Sequence, residues 1–232
     1  MERFDPNDFS QDIPVEEADF REVLLETEVP SRLEQWPDGR EMLIIGDPQG
    51  DKAFTHRQGD NPFGFEGTCG LCSCENVLRA FGLEVTEADV VAFAVKEGLC
   101  QVSDDPARSG GTTVFRQAEL LSRLGVPSNA TLGGTLDGLA SDLEEGKGVI
   151  VELNAGVLWD RADFVEEGQA NHAVTVTGVA RDPQTGNIEG FFINDSGTGK
   201  AGQFVDASTM REAWVESGGQ QVTTLLSRTN MG

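Results

Sequence analysis

Apolar residues recur at helical spacing through the first half of the chain. In the segment "GTCGLCSCENVLRAFG", Leu71, Cys74 and Leu78 repeat at intervals of three or four residues, and Gly82 follows as a stop signal. The same period recurs in "TEADVVAFAVKEG", "TTVFRQAELLSRLGV" and "TLDGLASDLEEG". These four segments predict helices, and the first of them begins close to Cys69.

The pattern changes in the second half of the chain, where short β-branched or alternating runs predict strands. These runs are "GVIVELN", "HAVTVTGVA", "NIEGFFIND" and "QQVTTLLS". One more helix is expected in "ASTMREAWVESGG", and "PQTG" is typical of a turn. Helices followed by antiparallel strands predict an α+β fold, in which two layers meet across a cleft.

The residues before the first helix have weak periodicity. They are rich in Pro, Asp and Glu, although "EMLIIGD" is typical of a short strand. We expect residues 1–56 to form an N-terminal extension, which is a linker, a propeptide or part of the fold. Residues 57–232 are expected to form one domain, and its first segment, 57–67, is a loop rich in Gly, Pro, Asn and Asp.

The net charge of -23, from 40 acidic and 17 basic residues, disfavours nucleic acid and anionic membranes as partners. The acidic residues are scattered, which favours a solvated surface over mimicry of nucleic acid. The first residues lack the apolar core of a signal peptide, and no apolar run is long enough to span a bilayer. We therefore expect a soluble protein that acts in a reducing cytosol, alone or delivered as part of a larger secreted protein.

The cysteines are Cys69, Cys72, Cys74 and Cys100, and the crowding of three of them disfavours a disulfide framework. A four-cysteine zinc site is also disfavoured, because Cys74 joins the apolar stripe and lies opposite Cys69 on the helix. We expect no metal and no cofactor. Cys69 differs from the others because it stands where a Gly-rich loop meets a helix start, and helix dipoles lower the pKa of a thiol there.

The chain contains two histidines. His56 has no motif around it and is expected to be a surface residue. His172 opens the predicted strand "HAVTVTGVA", and Asp195 closes the next one. Because a hairpin brings such positions side by side, a carboxylate at Asp195 can hold the tautomer of His172 and stabilise its charged form.

The order of these residues, Cys69 at a helix start and His172 at a strand start, resembles the papain-like cysteine peptidases. The "NHAV" box is similar to the histidine motif of that clan, and "INDSG" resembles the aspartate box of the bacterial double-glycine-leader peptidases. Residues 58–227 also resemble papain-like toxin domains of interbacterial-competition proteins. The resemblance implies a papain-like α+β fold, with a helical part that carries the cysteine packed on an antiparallel sheet.

The resemblance also implies the roles of individual residues. Cys69 would be the nucleophile and His172 the general base and acid, while Asp195, or alternatively Asn194, would orient His172. In the clan, a Gln about six residues before the cysteine lines the oxyanion hole together with the cysteine N–H. Phe63 stands at that position here, so Gln58 becomes the side-chain candidate and the loop is longer than the family pattern.

The implied reaction is acyl transfer, and the implied protein is a cysteine peptidase that serves as an antibacterial effector or toxin. Its partners would be a protein substrate inside a target bacterium and a cognate immunity protein that plugs the cleft over Cys69. Two alternatives remain open. A glutamine deamidase or transglutaminase would use the same triad on a side-chain amide, and an acidic interaction module would have no catalytic role at all.

Overall fold

The computed structural model describes residues 29–228, which form an eight-stranded antiparallel sheet with helices against it. The strands are β1 (Ser31–Gln35), β2 (Glu41–Gly46), β3 (Ser128–Thr131), β4 (Lys147–Leu153), β5 (His172–Arg181), β6 (Ile188–Asp195), β7 (Lys200–Asp206) and β8 (Gln220–Ser227). The α-helices are α1 (Cys69–Ala80), α2 (Glu87–Lys96), α3 (Val114–Arg123), α4 (Leu136–Glu144), α5 (Ala155–Leu158) and α6 (Ala207–Met210).

The four helices predicted in the first half correspond to α1–α4, and their capping residues explain where three of them begin. The hydroxyl of Thr86 accepts from the Asp89 N–H in a reciprocal capping box before α2. The hydroxyls of Thr113 and Thr135 also accept from backbone N–H groups, those of Arg116 and Gly138, and so cap α3 and α4. A helix forms in "ASTMREAWVESGG" as predicted, but only its first four residues are α-helical. After α6 the chain continues as a π-helical turn over Arg211–Val215.

Strand β5 is the centre of the sheet and carries His172 at its first position. Strand β6 pairs with β5 along one edge. On the opposite edge, β4 pairs with the first half of β5 and β2 pairs with its second half. This arrangement places the start of β5 beside the end of β4, with the end of β6 close to it across the hairpin.

Helices cover both faces of the sheet, so the fold has more than the two layers expected. Helices α1–α3 pack on one face around Ile150, whereas α4 and α6 pack on the other face around Val149 and Val151. Successive residues of a strand point to opposite faces. Burial on both sides therefore explains why "GVIVELN" is a continuous apolar run rather than an alternating one.

The described part of the expected N-terminal extension belongs to the sheet. Strand β1 pairs with β2, and Leu43–Gly46 of β2 pairs with the second half of β5. The expected boundary at residue 56 therefore does not separate two structural units among residues 29–228. Residues 1–28, the rest of that extension, lie outside the described part of the chain.

Membrane-spanning helices were not expected from the sequence. Among residues 29–228, no helix has the length and the apolar character that crossing a bilayer requires.

Candidate active site

Cys69 is the first residue of α1 and is half-buried. Helix α1 packs against β5, where the Thr175 hydroxyl donates to the backbone carbonyl of Ser73 at 3.3 Å. This packing brings the start of the helix to the start of the strand. The Cys69 thiol consequently lies next to His172 and to the Ala173 backbone N–H, which both stabilise its charged form and lower its pKa.

His172 and Asp195 form a direct side-chain pair. His172 Nε2 lies 2.7 Å from Asp195 Oδ1, and both side chains are buried. Because Nε2 is engaged with the carboxylate, Nδ1 is the ring nitrogen left for the Cys69 thiol. The structure thus brings together the three residues that the sequence singled out, in the order thiol, imidazole, carboxylate.

The carboxylate of Asp195 is held as an anion by several donors. Its Oδ1 also accepts from the Gly197 N–H at 2.9 Å, and its Oδ2 accepts from the Thr198 hydroxyl at 2.7 Å and from Trp159 Nε1 at 2.9 Å. Burial alone would raise the pKa of Asp195, but the hydrogen bond and charge of His172, with the bonds from Thr198 and Trp159, lower the pKa to about 2.

The thiol and the imidazole stabilise each other's charged forms. Burial alone would raise the pKa of Cys69, but the hydrogen bond with His172, the charge of His172 and the Ala173 N–H together lower it below its ordinary value. Burial alone would lower the pKa of His172, but its bonds with Asp195 and Cys69 raise the pKa to about 9. The arrangement therefore favours a thiolate–imidazolium pair, which is the reactive form of a cysteine nucleophile.

Trp159 and Gly197 enclose the outer side of His172. The Trp159 ring lies 5.0 Å from the His172 ring, and a Cβ on Gly197 would lie 2.8 Å from both His172 Cε1 and Trp159 Cζ2. The Trp159 ring lies at the edge of the core, partly buried, where it contacts both His172 and Asp195.

Gln58, the oxyanion-hole candidate, and Asn194, the alternative orienting residue, both form hydrogen bonds with groups other than Cys69 and His172. The Gln58 N–H donates to the Ser196 carbonyl at 3.0 Å, and its side-chain Nε2 donates to the Glu66 carbonyl at 2.6 Å. Gln58 therefore joins the segment after Asp195 to the loop before Cys69. Asn194 donates instead to the Asp51 carbonyl and to Asn76 Oδ1, each at 2.9 Å, so its amide is engaged away from His172.

A glutamine–glutamate pair that the sequence did not single out lies behind the thiol. Gln117 Nε2 donates to Glu152 Oε1 at 2.8 Å, and a Cβ on Gly70 would come within 2.6 Å of that same nitrogen. Burial raises the pKa of Glu152 to about 7, and its negative charge raises the pKa of Cys69. The only sequence signal for this pair is an acidic residue inside an otherwise apolar strand.

The loop over residues 55–68 is anchored by one buried carboxylate, which the sequence did not single out either. Glu87 accepts from the N–H groups of Gly59 and Asp60 at 3.0 and 2.9 Å. It also accepts from Asn61 Nδ2 at 3.0 Å and from the Thr68 hydroxyl at 2.6 Å. Because Thr68 directly precedes Cys69, Glu87 fixes the backbone from which the thiol projects.

The other three cysteines differ from Cys69 in their environments. Cys72, Cys74 and Cys100 are buried, and all four cysteines are free thiols. Cys74 lies in the cluster formed by α1–α3, as the apolar stripe predicts. Burial raises the pKa of the thiols of Cys72 and Cys74, so the pKa is lowered only for Cys69.

Comparison with known proteins yields similarity of structure rather than of sequence. No family model matches the chain, and no curated protein matches its sequence. Among solved structures, a candidate C39-like peptidase from Bacillus anthracis superposes with a TM-score of 0.51 at 16% identity. The match covers 75% of this chain and 99% of that one. The chain therefore has an α+β fold of the papain-like type, as its sequence predicts.

Proposed function

We propose that the chain is a cysteine peptidase in which Cys69, His172 and Asp195 perform acyl transfer on a protein substrate. The observation that carries the proposal is the half-buried thiol at a helix start, set against an imidazole that a buried carboxylate holds at 2.7 Å. A thiol with a lowered pKa, a base and an orienting group are the three parts that this chemistry requires.

In the proposed mechanism, the Cys69 thiolate attacks the carbonyl carbon of the scissile bond. The N–H of Cys69 is free to stabilise the oxyanion, because the first N–H of a helix has no intrahelical partner. The side chain of Gln58 is the second proposed donor. His172 then donates its proton to the leaving amine, and afterwards it deprotonates the water that releases the acyl-enzyme.

Expression of the wild type and of Cys69→Ala in bacterial cytosol tests the proposal directly. We expect the wild type to generate a few discrete new N-termini in the proteome, and we expect the variant to generate none. Cys100→Ala is the matched control, because it removes another buried thiol and should retain the cleavages. Mass gains of about one dalton on glutamines without new termini would indicate deamidation instead. Equal behaviour of all three forms would contradict a peptidase that cleaves proteins of this host through Cys69.

We further propose that the peptidase acts as an antibacterial effector and that an immunity protein covers Cys69. The resemblance of residues 58–227 to interbacterial toxin domains supports this role, and so does the need to control a reactive thiolate. Growth arrest that depends on Cys69 is the expected phenotype. A co-expressed inhibitor should protect Cys69 from iodoacetamide, whereas a complex in which alkylation continues at the free rate would contradict occlusion of the cleft.

A further inference from the structure

A second group of potential ligands begins one helical turn after Cys69 on α1. The side chains of His56, Cys72 and Glu75 each offer one ligand atom, and these atoms lie within 4.8 Å of one another. Cys72 and Glu75 are buried and stand three residues apart on α1, while His56 belongs to the preceding loop. The imidazole of His56 remains 31% exposed, which leaves a path from solvent to the group.

The contacts within this group are those of an ion pair. His56 Nε2 lies 2.7 Å from Glu75 Oε2, and Arg79 Nη1 donates to the other oxygen, Oε1, at 3.3 Å. The hydrogen bond with Glu75 raises the pKa of His56 to about 9. His56 was expected to be an ordinary surface residue, but it is partly buried and is tied to two buried carboxylates, since Glu87 Oε2 also lies 3.7 Å from its Nδ1.

We propose that His56, Cys72 and Glu75 form a zinc site, with solvent as the fourth ligand. Imidazole nitrogen, thiolate sulfur and carboxylate oxygen are the ligand types that Zn²⁺ takes, and this mixture suits neither Ca²⁺ nor Mg²⁺. A neutral imidazole, a thiolate and a carboxylate together carry two negative charges, which balance the charge of the ion. Binding would release the protons of Cys72 and His56 to solvent.

The dimensions of the group require only small side-chain movements. Zinc–ligand bonds of about 2.0–2.3 Å at tetrahedral angles place ligand atoms roughly 3.4–3.7 Å apart. The His56–Glu75 contact of 2.7 Å would open once the shared proton is lost, and the widest separation, at most 4.8 Å, would close. Because Cys72 and Glu75 lie on one turn of a helix, the rotamers of two side chains are sufficient for the adjustment.

Outer-sphere partners for these ligands are already in place. His56 Nδ1 lies 3.0 Å from the Arg57 carbonyl, so Nδ1 carries the hydrogen and Nε2 is the nitrogen that faces Cys72 and Glu75. Metal-binding histidines nearly always donate their second N–H to a carbonyl or carboxylate in this way. Arg79 holds the second oxygen of Glu75, which orients the first oxygen towards the ion.

Bound zinc would fasten residues 55–68 to α1 one turn after Cys69. Such a site would brace the loop before Cys69 and does not depend on the proposed peptidase activity. Cys69, His172 and Asp195 form a second thiol–imidazole–carboxylate set, which can also attract zinc. The test is therefore made in the full-length Cys69→Ala protein, which lacks the thiolate of that set.

Cobalt(II) is a suitable probe because thiolate ligation gives it a charge-transfer absorption band. We expect Cys69→Ala to bind one equivalent of Co²⁺ with this band and to lose the band when Zn²⁺ is added. Zn²⁺ alone should raise the midpoint of thermal unfolding, and a chelator should reverse the rise. The control Cys69→Ala/Cys100→Ala should behave in the same way.

The variants Cys69→Ala/Cys72→Ala and Cys69→Ala/His56→Gln distinguish the site from adventitious binding. The first should lose the charge-transfer band, and the second should weaken Co²⁺ binding at least about tenfold. His56 is partly exposed, so its variant tests the site even if removal of buried Cys72 disturbs folding. A thiolate band that persists without Cys72, or no stoichiometric Co²⁺ binding by Cys69→Ala, would overturn the proposal.

Discussion

The indole of Trp159 donates to one oxygen of Asp195, at 2.9 Å, while the other oxygen of Asp195 holds His172 at 2.7 Å. The same indole ring lies 5.0 Å from the imidazole ring. Trp159 therefore restrains both members of the pair at once. It fixes the carboxylate through a hydrogen bond and limits the access of water to that bond by covering the ring.

Trp159→Phe should separate these two effects, because it keeps an aromatic ring over His172 and removes only the donor. We expect the rate of Cys69 alkylation by iodoacetamide near neutral pH to fall by up to about tenfold. A hydrogen bond to a charged group is worth about 1.5–3 kcal/mol, and only part of this passes from Asp195 through His172 to the thiolate. Alkylation followed by mass spectrometry measures the rate. A rate equal to that of the wild type would show that the indole N–H does not support the pair.

The sequence predicted the elements that local signals define. Helix α2 follows from the helical period of its apolar residues, and the hairpin of β5 and β6 follows from two apolar runs separated by a turn. The proximity of His172 and Asp195 follows from that hairpin. Strands β1, β3 and β7 were not predicted, because they are short or lie at an edge and so carry no clear alternation.

The surroundings of the site could not be read in the same way. Trp159 reaches Asp195 across 36 residues of sequence, and Glu87 reaches Thr68 across 19. Such contacts depend on how helices and loops pack, and no periodic pattern marks them. The contact of Glu152 with Gln117 could not be predicted either, because a single charged residue in an apolar strand does not reveal which neighbour its carboxylate faces.

The pH dependence of peptidase activity should reveal the charged pair formed by Cys69 and His172. Because the pKa of Cys69 is lowered and that of His172 is raised to about 9, both groups are charged over a window that ends near pH 9. Peptidase activity should rise with pH as the thiolate forms and decline through about pH 9 as His172 loses the proton that it donates to the leaving group.

Asp195→Asn tests the cause of this window. The variant removes the carboxylate that raises the pKa of His172, so the imidazolium becomes less stable and the pKa of Cys69 should rise. Alkylation of Cys69 should then require a higher pH than in the wild type. Asn194→Asp/Asp195→Asn, which moves the carboxylate to the neighbouring position, should not restore the wild-type profile, because Asn194 is bonded to Asp51 and Asn76 instead.

Glu87→Gln should loosen the loop that leads to Cys69. A glutamine at this position retains one acceptor oxygen. Its NH₂ group replaces the second carboxylate oxygen, which now accepts a hydrogen bond from the Asp60 N–H, so that backbone donor would face another donor. We expect the free energy of unfolding to fall by about 2 kcal/mol, the usual cost of losing hydrogen bonds to a buried charge. Chemical denaturation measures this loss.

Glu84→Gln is the matched control for that variant. Glu84 is exposed and lies three residues before Glu87, so its replacement makes the same change of charge on the same segment. Its unfolding free energy should stay within about 0.5 kcal/mol of the wild type, as is usual for surface substitutions. If both variants lost the same stability, net charge rather than the anchoring of the loop would be responsible.

Glu152 makes both the stability and the thiol chemistry depend on pH near neutrality. Its ordinary pKa of 4.5 is raised to about 7 by burial, so the folded protein holds a proton there that the unfolded chain has lost. Since the folded state binds more protons over this interval, its stability decreases as pH rises from 4.5 towards 7. The decrease that Glu152 contributes should be on the order of 2 kcal/mol, allowing for its partial exposure.

Glu152→Gln should remove this contribution, because the amide does not titrate and can still accept from Gln117. Denaturation curves across the interval should therefore be flatter for the variant than for the wild type. Because the negative charge of Glu152 raises the pKa of Cys69, its loss should also shift the alkylation profile of Cys69 to lower pH. If the variant flattened the pH dependence of stability but left the alkylation profile of Cys69 unchanged, Glu152 would affect the stability of the fold without influencing the thiol.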